Sequence, residues 1–183
     1  GMIDVRELTR EECDAVLSRA RLARLACAKD GQPYVVPVHV AWHELTAGEA
    51  CLYGYSTAGQ KIEWMRANPR VCLLADEIVN AEQWLSVVVY GRFAELQDDE
   101  RESPARGPAR MSSDERREGM SERQLAHQVL ASRGTWWEPA ASERVALEPS
   151  SDGASEFTPI FYKIWIDQVT GRQAMPSAPG SQR

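Results

Sequence analysis

The chain has 183 residues, of which 43% are hydrophobic and 26% charged, as in one soluble domain with a sizeable core. Its formal net charge of -6 argues against nucleic acid and anionic membranes as partners, because both require a broad positive field. No apolar run approaches the roughly 20 residues of a membrane helix, and the N-terminus lacks the apolar stretch of a signal peptide, so we expect a cytoplasmic protein.

The first element predicted along the chain is a helix. Thr9 and Glu12 have the spacing of a capping box, in which each side chain bonds the other residue's backbone N–H. Apolar residues then recur at helical spacing. A helix over residues 9–19 is the prediction.

A hairpin should follow this helix. Two runs of β-type residues, 21–28 and 33–42, flank Asp30-Gly31, a dipeptide that tolerates the positive φ angles of a tight turn. Pro33 and Pro37 cannot donate hydrogen bonds to a sheet ladder. The second strand should therefore lie at an edge or be interrupted beside Pro37.

The rest of the chain predicts further strands joined by short turns. A polar turn is expected at 43–49, and a helix at 58–68 should end at Asn68-Pro69, because a residue before proline avoids helical angles. Another helix is expected at 121–132. The remaining predicted strands are 50–56, 70–77, 84–96 and 159–172.

These elements predict a mainly β fold, a β-barrel with helical decoration. We expect one domain over 1–172, with a charged, exposed excursion at 97–124 and a flexible tail at 173–183. The cysteines have no paired spacing and should be buried free thiols. His39 and His43 would be roughly 13 Å apart on a strand, so no metal site is expected.

The junction between the third strand and the next helix, "YSTAGQKIEW", carries the most chemical information. With Thr57 as N-cap and Gln60 as its capping-box partner, Lys61 falls in the first helical turn, where a cation is disfavoured unless an anion is present. Free amide N–H groups, the Ser56 and Thr57 hydroxyls and the Lys61 ammonium would together hold a phosphate, which Gly59 would let approach closely. Alternatively, the hydroxyls only cap the helix and Lys61 extends into water.

The ordered segments "RLARLACAKDGQPYVVPVHVAW", "CLYGYSTAGQKIEWMRANPRVCLLAD" and "VVVYGRFAEL", with "IDQVTGR" near the end, resemble a known family. They are similar to the pyridoxamine 5'-phosphate oxidase-like flavoproteins with the FMN-binding split-barrel fold, especially the branch of nitroimidazole-resistance reductases. The resemblance implies FMN as cofactor, with its phosphate at Ser56, Thr57 and Lys61, and Gln60 as a weaker candidate. It also implies that the ring lies along Val36, Pro37, Val38 and His39.

The resemblance further implies a homodimer whose partner chain completes each FMN site. Trp84, Trp136 or Trp137 could serve there, although core or dimer packing is their simpler role. Genuine pyridoxamine phosphate oxidases carry a C-terminal arginine and histidine arrangement, whereas no histidine follows His127 here. A generic FMN-dependent reductase or oxidase is therefore the expectation, rather than oxidation of vitamin B6.

The leading functional hypothesis is an oxidoreductase that passes electrons from a reduced nicotinamide to a small oxidised acceptor. The flavin would supply the redox chemistry, so little acid–base machinery is needed. The alternative from another class is a non-catalytic flavin- or haem-binding protein on the same barrel, and a third possibility is a barrel that has lost its ligand. Arg92 could point at the ring or the substrate, although a solvated or paired arginine is the simpler interpretation. Tyr53 and Tyr55 could stack near the ligand, although lining the barrel is their simpler role.

Overall fold

A computed structural model describes residues 2–97, 120–133 and 159–177. Its helices and strands in chain order are β1 (Ile3–Glu7), α1 (Arg10–Arg19), β2 (Leu22–Lys29), β3 (Gln32–His39), β4 (Ala41–Thr46), β5 (Glu49–Ser56), α2 (Gln60–Ala67), β6 (Arg70–Asn80), β7 (Gln83–Glu95), α3 (Glu122–Ser132) and β8 (Ile160–Pro176).

The strands form one antiparallel sheet in the order β3-β2-β6-β7-β8-β5-β4. The long strand β8 pairs with β7 along most of its length, with β5 through its first half and with β1 through its last residues. The sheet curls until the end of β3 reaches β5, where the rings of His39 and Tyr55 lie 6.4 Å apart. The predicted fold, a mainly β split barrel with few helices, is confirmed.

Side chains from the inward face of every long strand fill the barrel. On β7, for example, Val87 and Val89 are fully buried, and on β6 the alternating residues Val71, Leu73 and Ala75 are buried with them. A second cluster lies between β4, β5 and α3 and includes Tyr53, Ala126, Leu130 and Phe161. Helix α3 is thus packed on the outside of the barrel.

The local signals for the first helix and the first hairpin are confirmed. The Thr9 side chain accepts from the Glu12 N–H and the Glu12 carboxylate accepts from the Thr9 N–H, so both bonds of the capping box are present. Asp30 and Gly31 have φ angles of 51° and 76°, and Lys29 pairs with Gln32 across them. Positive φ at both central residues is the geometry of a two-residue hairpin turn.

Replacing Gly31 by alanine should therefore destabilise the protein. The glycine has φ of +76°, which an L side chain adopts only with strain, although no atom lies within 4 Å of the added methyl group. We expect a loss of about 1 kcal/mol in the free energy of unfolding, measured by urea denaturation. The neighbouring exposed variant Gln32→Ala is the control, and equal stabilities of the two variants would contradict the prediction.

Two boundaries around β4 were predicted wrongly. The segment 33–42 is two strands, because the chain turns from β3 into β4 at Val40, whose N–H donates to the Arg21 carbonyl oxygen at 3.1 Å. The predicted polar turn at 43–49 is also wrong, since Ala41–Thr46 pairs with β5. Polar residues alternate along β4 because its exposed side faces solvent, and that alternation was mistaken for a turn.

The predicted start of the C-terminal tail at Gln173 is wrong as well. Strand β8 continues to Pro176, because its end pairs with β1, with Ile3 opposite Pro176 and Glu7 opposite Arg172. Strand β1 was not predicted at all. All five of its residues are exposed, so no burial pattern marks it in the sequence.

Several predictions fall outside the described residues. These are the part of the charged excursion at 98–119, the loop that contains Trp136 and Trp137, and the tail after Ser177. The end of the excursion, from Glu122, lies in α3, which begins with a capping box between Ser121 and Gln124. The four cysteines are free thiols, three buried and Cys72 half-buried, as predicted.

Candidate functional site

Helix α2 begins later than the sequence predicted. Gly59, not Thr57, is the N-cap, and no side chain caps the helix. Residues 57–59 instead connect the sheet to the helix, and the Ser56 hydroxyl donates to the Thr57 carbonyl oxygen at 3.0 Å. The predicted capping box of Thr57 and Gln60 is therefore wrong, because the chain needs these residues to change direction.

Because no side chain of the described residues caps α2, its first backbone N–H groups are available as hydrogen-bond donors. The first bond within the helix runs from the Glu63 N–H to the Gly59 carbonyl oxygen at 3.0 Å, so the N–H groups of Gln60, Lys61 and Ile62 precede the helical ladder. Within the described part of the chain no side chain caps them. Open space surrounds Gly59, where an added Cβ would meet no atom within 4 Å. The helix start is thus accessible, with its amides directed outward.

Lys61 lies in this first turn and is half-buried. Burial lowers the pKa of its ammonium group from the ordinary value, and the nearby Cys27 thiol opposes that shift. Burial also raises the pKa of Cys27. Among the residues that the structure describes, no carboxylate forms an ion pair with Lys61, whereas the helix's other cation, Arg66, binds Glu95 at 2.7 Å. Partial burial of a cation without a counterion is unfavourable, so this position favours an anionic ligand.

Strand β3 forms one edge of the sheet, which satisfies the first of the two alternatives for Pro33 and Pro37. Both prolines lie within the ladder with β2, at positions opposite Ala28 and Arg24, and neither interrupts it. A proline fits an edge strand where its nitrogen faces away from the partner. The two prolines are four residues apart, so both nitrogens face the open edge.

Successive residues of β3 direct their backbone N–H and carbonyl groups alternately toward β2 and toward the open edge, and this decides which groups are accessible. The Val40 N–H bonds to Arg21, so the N–H and carbonyl groups of Val36 and Val38 point in the same direction, toward β2. Those of Pro37 and His39 point away from β2. Of the four predicted ring residues, two thus present their backbone at the open edge, while Val36 and Val38 direct their side chains into the barrel.

Sequence reasoning missed Val35 as a possible site residue. Val35 lies two residues from each proline and therefore has the same backbone orientation, so its N–H and carbonyl oxygen both face the open edge. Its side chain is 64% exposed on the outside of the sheet. The signal was present, because prolines two residues before and after Val35 identify the edge-facing positions.

The fold brings the two halves of the predicted site together. The buried His39 at the end of β3 lies beside Tyr55, which directly precedes Ser56 on β5. On the other side, Tyr34 of β3 contacts Trp64 of α2, with ring centroids 5.7 Å apart. Strand β3 thus lies beside the end of β5 at His39 and beside α2 at Tyr34.

We call the open edge of β3, the end of β5 and the start of α2 the shelf. Two cavities in the described part of the chain lie elsewhere. One, of about 410 Å³, is lined by Ser86, Val88, Thr170, Arg172 and neighbours on the outside of the sheet. The other, of about 440 Å³, lies between β4 and α3 beside His43 and Val129. Neither cavity is lined by a predicted site residue.

The most buried polar cluster is structural. The Lys163 ammonium bonds both carboxylate oxygens of Glu122, at 2.6 and 2.8 Å, and lies 4.0 Å from the ring centre of Trp165. The Tyr53 hydroxyl donates to the same carboxylate at 3.3 Å, and burial raises its pKa. Tyr53 is fully buried, so the cluster holds α3 on the barrel. Arg92, for which a solvated or paired role was the simpler interpretation, forms an ion pair with Asp167 at 2.9 Å.

Similarity to known proteins identifies the family of this chain. The family model described as pyridoxamine 5'-phosphate oxidase matches residues 9–135. The chain belongs to this family. The match covers the barrel from α1 through α3, including β3 and the start of α2.

Individual relatives agree with this assignment. An uncharacterized protein of Rhizobium meliloti is 41% identical over 170 residues, which are 93% of this chain and 95% of the relative. The crystal structure of an FAD-binding protein from Mesorhizobium loti is 35% identical with a TM-score of 0.61, covering 96% of this chain and all of that one. A structure assigned as a 5-nitroimidazole antibiotic resistance protein of Bacteroides thetaiotaomicron is 15% identical with a TM-score of 0.56, over 97% and 93% of the chains, and shares the fold.

None of the helices in the described ranges is both long and apolar enough to cross a membrane. Within the same ranges, no group of three or more histidine, cysteine, aspartate or glutamate residues is arranged to hold a metal ion. The shelf at β3 and α2 is therefore the candidate site.

Proposed function

We propose that this member of the pyridoxamine 5'-phosphate oxidase-like family is a flavin-binding oxidoreductase with FMN as its cofactor. The observation that carries the proposal is Lys61, a half-buried cation at the start of α2 for which the described residues provide no carboxylate. A phosphate group would supply the missing negative charge. The FAD-binding relative from Mesorhizobium loti supports a flavin as the ligand.

The proposed phosphate site combines three kinds of donor. The outward N–H groups of α2 and the helix dipole favour a dianion at this position. The Lys61 ammonium neutralises part of the charge, and the Ser56 and Thr57 hydroxyls donate further hydrogen bonds. The exposed Gln60 side chain lies at the rim of the same turn. FMN and FAD both carry a phosphate at this point of the molecule, so the site suits either cofactor.

The proposed ring site is the open edge of β3. The Val35 N–H can donate to a carbonyl oxygen of the flavin pyrimidine ring, and the Val35 carbonyl oxygen can accept from the neighbouring ring N–H. His39 closes the end of this edge against Tyr55, while Val36 and Val38 support it from inside the barrel. We therefore propose Val35, Pro37 and His39 as the residues beside the ring, with Val36 and Val38 behind them instead of in backbone contact with it.

The bound flavin would supply hydride and electron transfer, and the protein would supply position and electrostatics. We infer that the electrons pass from a reduced nicotinamide to a small oxidised acceptor. The shelf supports this reaction because a ring on an edge strand keeps one face open to a second small molecule. In the proposed assembly the protein is a homodimer.

The visible absorption spectrum of the purified protein, followed by chromatography of the ligand released on denaturation, tests the cofactor. We expect the two absorption bands of an oxidised flavin, and FMN in the released fraction. Release of FAD would support a flavin cofactor and overturn FMN as its identity. A haem spectrum, or a colourless protein that binds neither FMN nor FAD, would overturn the proposal.

Anaerobic addition of a reduced nicotinamide tests the redox function separately. We expect the flavin absorption to bleach and to return when an oxidised acceptor such as a nitroaromatic compound is added. A flavin that stays oxidised would overturn electron transfer from a nicotinamide and favour the binding-protein alternative.

A further inference from the structure

Two charged side chains hold the ends of helix α3 on the barrel. At its start, the Glu122 carboxylate accepts from the Lys163 ammonium group at 2.6 and 2.8 Å. At its end, the Arg133 guanidinium donates to the carbonyl oxygen of Ser18 in α1 and, at 3.3 Å, to that of Trp42 in β4. The position of α3 relative to β4 is therefore fixed at both ends of the helix.

The side of α3 that faces β4 is incompletely packed. Ala126 and Leu130 are buried in one cluster with Phe161 of β8. Leu125 and Val129, each one residue earlier on the helix, are half-buried and line the cavity of about 440 Å³. Residues four apart lie on the same helix face, so this pair forms one apolar wall. The cavity is thus a gap between two elements whose positions are fixed by other contacts.

The cavity has the size and the lining of a small-molecule site. Such sites have volumes of roughly 300–1,000 Å³ and combine mainly apolar walls with a few polar groups. Four half-buried residues and two exposed polar residues of α3 line this one: His43, Met120, Leu125 and Val129, with Gln128 and Ser132. Polar side chains at the rim can therefore orient a ligand whose apolar part is buried.

The lining carries no permanent charge. None of its six residues is an aspartate, glutamate, lysine or arginine, and only His43 has a side chain that titrates near neutral pH. The nearby Glu122 carboxylate is already paired with Lys163. Burial of an ion without a counterion is unfavourable. The cavity therefore favours an uncharged ligand.

The rim can accept a hydrogen bond from such a ligand. The Ser132 hydroxyl donates to the Val129 carbonyl oxygen at 2.8 Å, which leaves the hydroxyl oxygen as an acceptor. The exposed Gln128 amide carries a further acceptor oxygen. Gln128 and Ser132 are four residues apart and so lie on the same helix face. A ligand with one O–H or N–H group can donate to either of them.

The wall opposite α3 favours an aromatic ring. The His43 ring packs against the Tyr53 ring with centroids 5.7 Å apart, and Tyr53 is fully buried. His43 is thus held in a defined orientation where it lines the cavity. The thioether of Met120 can also contact the edge of an aromatic ring favourably.

We propose that the cavity between β4 and α3 binds a small, uncharged aromatic molecule that carries one hydrogen-bond donor, such as a phenol. The site is separate from the shelf, because its lining residues belong to neither β3, β5 nor α2. It does not rest on the proposed flavin function. The bound molecule fills the gap beside α3 and so stabilises the docked position of the helix.

Isothermal titration calorimetry of the purified protein with 2-naphthol tests the site, because this aromatic molecule has one hydroxyl group and is uncharged near neutral pH. We expect one molecule bound per chain with a Kd below about 1 mM. 2-Naphthoate, in which a carboxylate replaces the hydroxyl, should bind at least about tenfold more weakly. Equal affinity for 2-naphthoate would overturn the uncharged class of ligand. A protein that binds no 2-naphthol below about 1 mM would overturn the site.

Two variants fill the cavity from its rim. Gln128→Trp and Ser132→Trp enlarge exposed lining residues and should each weaken 2-naphthol binding at least about tenfold, with an unchanged circular dichroism spectrum. Ala131→Trp is the matched control, since it adds the same side chain at an exposed position of α3 that does not line the cavity. The control should bind like the wild type. Undiminished binding by both filled variants, or equal weakening in the control, would overturn the site.

Hydrogen exchange of the backbone amides locates the bound probe independently. 2-Naphthol should slow the exchange of α3, because a ligand that binds only the docked helix favours that state. Slowing at β3 and α2 instead would place the probe on the shelf and overturn the cavity as its site.

This proposal and the proposed function can fail separately. A colourless protein that binds 2-naphthol at α3 would support the cavity site and overturn the flavin. A flavoprotein that does not bind 2-naphthol would overturn the cavity site and leave the proposed function in place.

Discussion

Replacement of Lys61 by methionine is expected to weaken FMN binding by roughly 10- to 100-fold, because a hydrogen bond to a charged group contributes about 1.5–3 kcal/mol. Methionine keeps most of the side-chain volume beside Cys27 and removes only the charge. The fold should be retained, since a half-buried ammonium that has no ion pair with the described residues contributes little or unfavourably to stability. Quenching of flavin fluorescence during titration into the apoprotein measures the affinity.

Lys29→Met is the matched control for this experiment. Lys29 is exposed at the first hairpin, so its replacement removes one positive charge without affecting the start of α2. The control should bind FMN like the wild type, apart from a small effect of net charge. Equal affinities of the Lys61 and Lys29 variants would show that the phosphate lies elsewhere.

The lowered pKa of Lys61 also predicts a pH dependence with a definite sign. In the apoprotein the unfolded chain binds more protons than the folded protein between the lowered and the ordinary lysine pKa, so the free energy of unfolding should rise with pH across that interval. The Lys61→Met variant should lack this contribution. A bound phosphate favours the protonated lysine, so FMN binding above the lowered pKa should take up protons and weaken as the pH rises. Calorimetry in buffers of different ionisation enthalpy measures this uptake.

Replacement of Gly91 by alanine is expected to destabilise the protein by about 3 kcal/mol or more, which can prevent folding altogether. A Cβ at this position would lie 2.2 Å from the Trp165 carbonyl oxygen and 2.7 Å from the Cγ2 atom of Ile164. The carbonyl belongs to the β8 backbone, which cannot move without breaking the barrel's longest pairing. The register between β7 and β8 also shifts at this residue. Urea denaturation, or the soluble yield if the variant does not fold, measures the loss.

Gly59→Ala is the matched control for the Gly91 variant. Its added methyl group meets no atom within 4 Å, so only the small preference for glycine over alanine at a helix N-cap is lost. We expect it to cost less than about 1 kcal/mol. A Gly91→Ala protein as stable as this control would contradict the steric explanation.

Much of the candidate site was predictable because its signals are local. The resemblance and the chemistry of the junction both selected Ser56, Thr57 and Lys61, and the resemblance added Gln60 as a weaker candidate. Helix α2 begins at Gln60. The capping role given to Thr57 was wrong, since the path of the chain from sheet to helix is decided by where β5 and α2 pack. The edge position of β3 was one of two predicted alternatives. The structure selected it, and with it the accessible backbone of Val35.

The sequence by itself determined the elements whose signals lie within a few residues. The capping boxes of α1 and α3, the Asp30-Gly31 turn and the apolar alternation of the central strands depend only on local backbone preferences and side-chain spacing. Such preferences act before any distant contact forms, so they can be read directly from neighbouring residues.

Only the tertiary structure decided the elements that depend on a distant partner. Strand β1 and the end of β8 stabilise each other across more than 160 residues of sequence, and β1 has no buried residue that would mark it alone. The start of β4, and the absence of an ion pair between Lys61 and any carboxylate of the described residues, are decided in the same way, by which segments the closing sheet brings together. Hydrogen-bond pairing and charge environment are properties of two segments in space, so neither segment's sequence contains them.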